Sequence, residues 1–321
     1  MRLRWGLLSL LAAAACSTPP DDGGDEAHVL DDQPILTDDG KGDGASLPGT
    51  TVELVLENGA VPGSADRPNA VVYIPHGYDT SQPNVVVYLH GWYNCARNVI
   101  RSRNGVCAPG HAVRNAYNLA GQLETSNKNA ILVVPELMFD QPSSNPGALG
   151  QPDVFYALLD EVMTQLGDQV GGMSVWDVSQ VVVASHSGGD VTAASIVSQG
   201  GWYENELWLL DSLYEHMSDF DAWVTSDDNK PSFAAQPFAM RFANVYTGGG
   251  GTLANSQEMA KRAGGWFDDA SVVLDDRSGR TLVDADYAHG LVFKRSGLAH
   301  DDVPRYYFGR LLATSGLPAK P

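Results

Sequence analysis

A serine, a histidine and an aspartate stand out as residues of this chain able to carry nucleophilic chemistry. Val181-Val182-Val183-Ala184-Ser185-His186-Ser187-Gly188-Gly189 runs from β-branched residues into a serine followed by two glycines. A continuous apolar run of this kind reads as a parallel strand buried on both faces. Gly188 and Gly189 allow an abrupt turn into a following helix, which would lift the Ser187 hydroxyl to the top of a sheet, beside backbone N–H groups. A hydroxyl so placed can attack a carbonyl carbon once a base takes its proton and N–H donors hold the oxyanion. The motif departs from Gly-x-Ser-x-Gly at its first position, which is Ser185. A plain strand–turn–helix bearing surface serines is the competing reading of the same nine residues.

A base downstream of the nucleophile leaves His216, His289 and His300. His300 lies in Ser296-Gly297-Leu298-Ala299-His300-Asp301-Asp302-Val303-Pro304, a loop between a strand and the closing helix, from which it can reach across to the serine. His289 follows a Gly/Ala-rich turn region, and His216 lies just past a strand; all three could also be surface histidines. The strand Phe242–Tyr246 ends in Thr247 and four glycines, Gly248 to Gly251, with no carboxylate. No Lys-Ser/Thr follows those glycines, so they are no phosphate loop; they let the backbone pass close to the site. Leu207–Leu210 ends directly in Asp211, at the strand end where catalytic groups of such sheets gather. Asp211 is therefore the favoured acid, with Asp268 and Asp275 in reserve and Asp190 too near Ser187 in sequence.

These residues need a scaffold, and the body supplies one by alternating strands with helices, the pattern of a mostly parallel sheet covered on both faces. The strands read as Thr51–Glu57, Ala70–Ile74, Val85–Leu89, Ala130–Val134, the serine strand, Leu207–Leu210, Phe242–Tyr246, Ser271–Leu274 and Leu291–Phe293. Helical spacing covers Ala112–Glu124, Val154–Leu166, about Gly189 to Ser198, Leu253–Arg262 and Val303–Ala313. No internal repeat is visible. One domain over 50–321 fits best, with 225–240 and the segment between Cys95 and Cys107 as surface excursions.

The amino-terminal end reads differently. Arg2 and Arg4 precede the apolar run Gly6–Ala15, and Ala13-Ala14-Ala15 leads into Cys16, the pattern of an export signal. The segment resembles a lipoprotein signal over 1–16, with Ala13 where leucine is more usual, which implies that Cys16 becomes the lipidated first residue. Ordinary signal cleavage nearby is the alternative. The run is too short to span a bilayer. Residues 17–49 are rich in Asp, Gly and Pro, with nine acids and one lysine across 17–44, and read as a disordered tether. A net charge of −19 over 321 residues argues against nucleic-acid or anionic-membrane partners. The acidic Asp39–Gly44 run fails as a calcium loop, because Lys41 takes a ligand position and Thr50 stands where the bidentate Glu belongs. In an exported chain, Cys95 and Cys107 pair as a disulfide. Two cysteines without a nearby His-x₃₋₅-His make a metal site improbable.

Tyr73-Ile74-Pro75-His76-Gly77-Tyr78-Asp79 and Asn84-Val85-Val86-Val87-Tyr88-Leu89-His90-Gly91 resemble the opening of secreted α/β-hydrolase esterases, the polyhydroxybutyrate-depolymerase and feruloyl-esterase-like group. With the serine turn and His300 the resemblance spans about residues 50–315. It implies an α/β-hydrolase fold, no cofactor, Ser187 as nucleophile and His300 as base. It also implies that the loop after the third strand gives one oxyanion N–H, from Trp92 or Tyr93, and that Gly188 gives the other, with His90 structural. Ser185 and the placing of the acid at Asp211 are its departures. The expected activity is hydrolysis of a small-molecule or polymer carboxylic ester by an exported protein, joined to the envelope membrane by a lipid anchor alone. A cell-envelope amidase or peptidase using the same triad, and a binding lipoprotein on an inactive scaffold, are the alternatives. Trp92, Tyr93, Tyr214 and Trp223 are candidates to line an acyl pocket or to lie in the core.

Overall fold

The computed structural model describes residues 47–321, except 139, 141–144, 236, 250, 270–271 and 276–282. The signal-like segment, Cys16 and the tether up to residue 46 lie outside the described residues. So does the start of the expected strand at Ser271.

Among the described residues, nine strands form one sheet: β1 (Thr50–Leu54), β2 (Ala70–Ile74), β3 (Asn84–Leu89), β4 (Ile131–Pro135), β5 (Gln180–His186), β6 (Glu206–Leu210), β7 (Arg241–Thr247), β8 (Val273–Asp275) and β9 (Leu291–Ser296). Their order across the sheet is β1-β2-β4-β3-β5-β6-β7-β9-β8. The first two join antiparallel, and the strands from β4 to β8 run parallel. β5 therefore lies near the middle, flanked by β3 and β6.

The apolar runs are continuous because helices cover both faces. Val85, Val87, Leu89, Val181 and Val183 enter one core, while Val86, Tyr88, Val182 and Ala184 enter the other. On the first face pack α3 (Val154–Leu166), α4 (Asp190–Gln199), α5 (Met217–Thr225) and α7 (Leu253–Ala263), through Leu158, Val162, Ile196, Phe220 and Met259. The second face takes α1 (Ala96–Ile100), α2 (Leu119–Thr125) and α8 (Val303–Ala313), through Val99, Leu123, Tyr307, Phe308 and Leu311. At the end of the sheet where β6 and β7 begin, Arg241 Nε meets Glu206 at 2.6 Å, both side chains fully buried. Arg241 also donates to the Tyr287, Leu311 and Thr314 carbonyls, tying the last helix to the sheet.

Two sequence expectations need correction. Of the helix expected over Ala112–Glu124, only the second half is helical. Arg114 exchanges both backbone hydrogen bonds with Gly105 (3.2 and 2.8 Å), so its N–H and C=O are engaged outside any helical ladder. Asn118 then adopts φ 54 ahead of α2, and Val113 of the supposed apolar stripe is 63% exposed. The segment 225–240 is not wholly a surface excursion. It contains α6 (Lys230–Ala234), whose Phe233 is fully buried with its ring centroid 5.3 Å from that of Trp223. Trp223 is thereby a core residue. The cysteines are joined: Cys95 and Cys107 form a disulfide with their Cα atoms 5.7 Å apart.

Candidate active site

Ser187 sits in the turn between β5 and α4 with φ 53, a conformation that costs a non-glycine residue energy and recurs where a side chain must be presented sharply. Two glycines make room for the turn. A Cβ on Gly91 would stand 2.4 Å from the Ser187 Cβ and 3.1 Å from its hydroxyl, and one on Gly189 would stand 2.7 Å from the Leu89 carbonyl oxygen. The turn is also tied from below. The Ser185 hydroxyl donates to Ser212 Oγ at 2.9 Å, and the Ser212 hydroxyl donates to the Ser187 carbonyl at 2.7 Å. The residue that breaks the glycine pattern thus anchors a relay under the nucleophile position. Nothing in the sequence around Ser212 signals that role.

His300, just after β9, hydrogen-bonds through Nδ1 to Asp211 Oδ2 at 2.6 Å. Asp211 is fully buried at the end of β6, with φ 50. Its carboxylate also accepts the Thr247 N–H at 2.9 Å, the Thr247 hydroxyl at 2.7 Å and the Thr252 hydroxyl. Burial works to raise its pKa, but the hydrogen bonds from His300, Thr252 and Thr247 outweigh burial and hold it at about 2. An ionised carboxylate on Nδ1 keeps the proton there and leaves Nε2 free to accept another. The His300–Asp211 link is formed, whereas a Ser187–His300 bond is not among the hydrogen bonds of the described residues. Catalytic bonds of unliganded sites are often long and tighten when substrate binds.

His186, one residue before the serine, is fully enclosed and lies beside His300, with ring centroids 4.5 Å apart. Its Nε2 meets the His300 carbonyl at 3.2 Å; a carbonyl only accepts, so Nε2 carries the hydrogen and Nδ1 accepts the Tyr117 hydroxyl at 3.2 Å. Burial, and then the neighbouring His300, push its pKa well below the ordinary imidazole value. It stays neutral and fixes the backbone that carries His300. Sequence reasoning took His186 only as part of the strand. Its burial depends on packing from distant elements.

On the opposite side, His90 is buried after β3. Its Nε2 accepts the Leu137 N–H at 3.0 Å, so Nδ1–H donates to the Gly91 carbonyl at 3.1 Å. The peptide leading into Trp92 is thereby oriented, with Gly91 close against the Ser187 side chain. Tyr93 has φ 65, and the Trp92 and Tyr93 rings stack with centroids 4.3 Å apart as an exposed lip. The other candidates are engaged elsewhere: His216 Nδ1 with Asp219 at 3.2 Å, and His289 Nδ1 with the Asp286 carbonyl at 2.7 Å. Asp268 is exposed on the surface, and the side chain of Asp275 is outside the description. Asp190, buried at the start of α4, accepts the N–H groups of Tyr214 (3.2 Å) and Glu215 (3.0 Å), and burial pushes its pKa up to about 6.

Among the described residues, one group of side chains converges as a metal site would require: His186, His300 and Asp301, with ligand atoms within 4.8 Å of one another. Both His186 nitrogens and His300 Nδ1 are already hydrogen-bonded, and Asp301 accepts from Asn115 at 3.2 Å. The group reads as a network supporting His300.

No protein-family model matches the sequence, and no curated protein matches it. Solved structures do. A Ser→Ala mutant of the feruloyl esterase module from Clostridium thermocellum, complexed with sinapinate, overlaps 83% of this chain and 87% of its own length, at 14% identity and a TM-score of 0.53. An S-formylglutathione hydrolase from Agrobacterium tumefaciens overlaps 83% of this chain and 94% of its own, at 11% identity and a TM-score of 0.45. Together with the sheet order and the strand–turn–helix at Ser187, the first overlap defines the fold: this chain has the α/β-hydrolase fold. At this identity the likeness extends to the fold alone.

Proposed function

We propose that this chain is a serine hydrolase that cleaves carboxylic esters through an acyl-enzyme on Ser187. The observation that carries the reading is the 2.6 Å bond between His300 Nδ1 and a fully buried, ionised Asp211, formed beside a serine held at φ 53. In this reading His300 Nε2 takes the Ser187 proton as Oγ attacks the ester carbon. The oxyanion is received by the N–H groups of Gly188 and of Trp92 or Tyr93, and the proton passes to the leaving alcohol. Water then repeats the sequence on the acyl-enzyme. The ester reading is supported over an amide by the similarity of the fold to a feruloyl esterase module.

A fluorophosphonate probe tests the reading. Wild-type protein is expected to label, with loss of p-nitrophenyl acetate hydrolysis, and Ser187→Ala is expected to do neither. Labelling that persists in Ser187→Ala, or wild type that never labels, overturns it. The second outcome would favour a non-catalytic binding protein, a reading that the unformed Ser187–His300 bond supports. We further propose that the protein is exported and held at the envelope by a lipid on Cys16. Metabolic labelling with a fatty-acid analogue, lost in Cys16→Ala, is the expected result.

A further inference from the structure

Four aromatic rings gather on the surface away from the nucleophile. Tyr156 lies in the first turn of α3, Trp176 in a single helical turn (Val175–Asp177) before β5, and Trp202 and Tyr203 follow α4. Tyr156 and Trp202 stack with centroids 5.6 Å apart, and Trp176 meets Trp202 at 5.1 Å and Tyr156 at 5.6 Å. Tyr203 stacks on Trp202 at 5.5 Å. Trp176 is 71% exposed and Tyr203 76%, so the cluster is open to a ligand rather than spent in the core. Beside it lies a cavity of about 230 Å³, lined by residues 196–203. Trp176 precedes β5 and Trp202 precedes the parallel β6, whereas Ser187 follows β5. The seven residues of β5 span about 23 Å, which separates the rings from the hydrolytic site.

The backbone beneath the rings is tied. The Asp153 N–H donates to the Gln199 carbonyl and the Tyr156 N–H to the Gly200 carbonyl, both at 2.9 Å, joining the start of α3 to the end of α4. The Trp176 turn is closed by the Asp177 carboxylate, which accepts the Ser174 N–H at 2.9 Å and the Ser174 hydroxyl at 2.8 Å.

Charge around the cluster selects what it can hold. From residue 129 to residue 229 the chain has sixteen Asp and Glu and no Lys or Arg. The elements packed most closely on α3 and α4 come from this stretch or from β3, which has no Lys or Arg either. Arg241, whose N–H meets the Asn205 carbonyl at 3.0 Å, is buried and paired with Glu206. A Cβ on Gly201, in the cavity wall, would stand 2.5 Å from Asp153 Oδ1, so a carboxylate borders the cavity. The last turn of α4 lines it as well, and that is the negative end of the helix dipole.

From this arrangement we propose that the ring cluster is a binding site for a small organic cation of the quaternary-ammonium class. The Tyr156, Trp176 and Trp202 centroids lie 5.1 to 5.6 Å from one another, so one cation can stand within about 6 Å of all three, the reach of cation–π attraction. Methyl groups on nitrogen pack against rings without needing hydrogen-bond acceptors. A primary ammonium would forfeit hydration that ring faces do not replace. A phosphate would meet carboxylates and no base, so the ligand is a free cation rather than a phospholipid head.

Calorimetric titration of the whole protein with choline tests the site. Choline should bind, and neohexyl alcohol, the uncharged isostere with carbon in place of nitrogen, should bind about tenfold more weakly or worse, the scale of cation–π attraction to several rings. Phosphocholine should bind more weakly than choline. Trp176→Ala, which trims an exposed ring, and Trp202→Ala should each weaken choline about tenfold while the thermal melt stays cooperative. Asp153→Asn should weaken it by less. Ser187→Ala should bind choline as the wild type does, because the two sites are separate. Absence of choline binding, equal binding of choline and the alcohol, or tighter binding of phosphocholine overturns the proposal. Choline binding unchanged in both tryptophan variants, or a neutral oligosaccharide that binds at these rings where choline does not, overturns it too.

Discussion

Asp211→Asn is a sharp perturbation, because the donors around the carboxylate dictate how an amide must sit. Oδ1 accepts the Thr247 N–H and the Thr252 hydroxyl; Oδ2 accepts the Thr247 hydroxyl and His300 Nδ1–H. The Thr247 N–H belongs to a strand and cannot turn away, so the asparagine oxygen is forced to the Oδ1 position and its NH₂ to the Oδ2 position. The Thr247 hydroxyl can rotate to accept. His300 cannot keep a proton on Nδ1 facing that NH₂, so it must move it to Nε2, where it blocks uptake of the serine proton. The wrong tautomer is expected to lower kcat by about 10⁴, equivalent to about 5.5 kcal/mol in barrier. The assay is p-nitrophenyl acetate hydrolysis together with the rate of fluorophosphonate labelling. Activity within tenfold of wild type would show that this carboxylate does not set the tautomer. Stability gives an independent reading of the same group. A carboxyl at about 2 in the folded chain against 3.8 when unfolded contributes about 2 kcal/mol that is fully present above pH 4. The contribution is lost as pH falls through about 2, so the melting-temperature gap between wild type and variant should be constant above pH 4 and close below it.

Three further outcomes are expected. In Gly91→Ala the new methyl would stand 2.4 Å from the Ser187 Cβ, well inside the separation of about 3.5–4 Å that carbon atoms prefer. A backbone shift on the order of 1 Å should lower kcat about 10²-fold, measured beside a circular-dichroism melt that stays cooperative. Burial pushes the Glu204 carboxyl up to about 8, so the folded chain holds that proton more tightly than the unfolded one, and stability falls as pH rises from 4.5 to 8. Glu204→Gln removes this term, and its melting temperature relative to wild type should climb across that window; a gap independent of pH would refute the assignment. Replacing Cys95 and Cys107 together by serine opens a loop of sequence separation 12. It should cost about 3 kcal/mol in urea unfolding, with the midpoint unchanged if the bond contributes nothing.

Much of the fold was legible from the chain because burial on both faces leaves unbroken apolar runs. Ala70–Ile74 coincides with β2, and the Val154–Leu166 and Val303–Ala313 helices were read with their observed limits. The Ala112–Glu124 stripe failed where a bridge to Gly105 competed with the helical ladder for the same backbone groups. α1 and α6, each of five residues, are too short to show a period.

The division at the site follows from the same physics. Sequence alone determined that a serine ends an apolar strand at two glycines and that an aspartate ends the next strand, because those are local consequences of residue type. It also supplied the two cysteines, whose joining needs only a short loop. Only the tertiary structure decided what faces what. His300 and Asp211 are 89 residues apart and meet through a 2.6 Å bond because β9 and β6 are both drawn into one sheet about β7. The same folding encloses His186 under His300 and makes Ser185 an anchor through Ser212. No pattern along the chain encodes those approaches, because they depend on which strand ends lie side by side once the sheet closes its order.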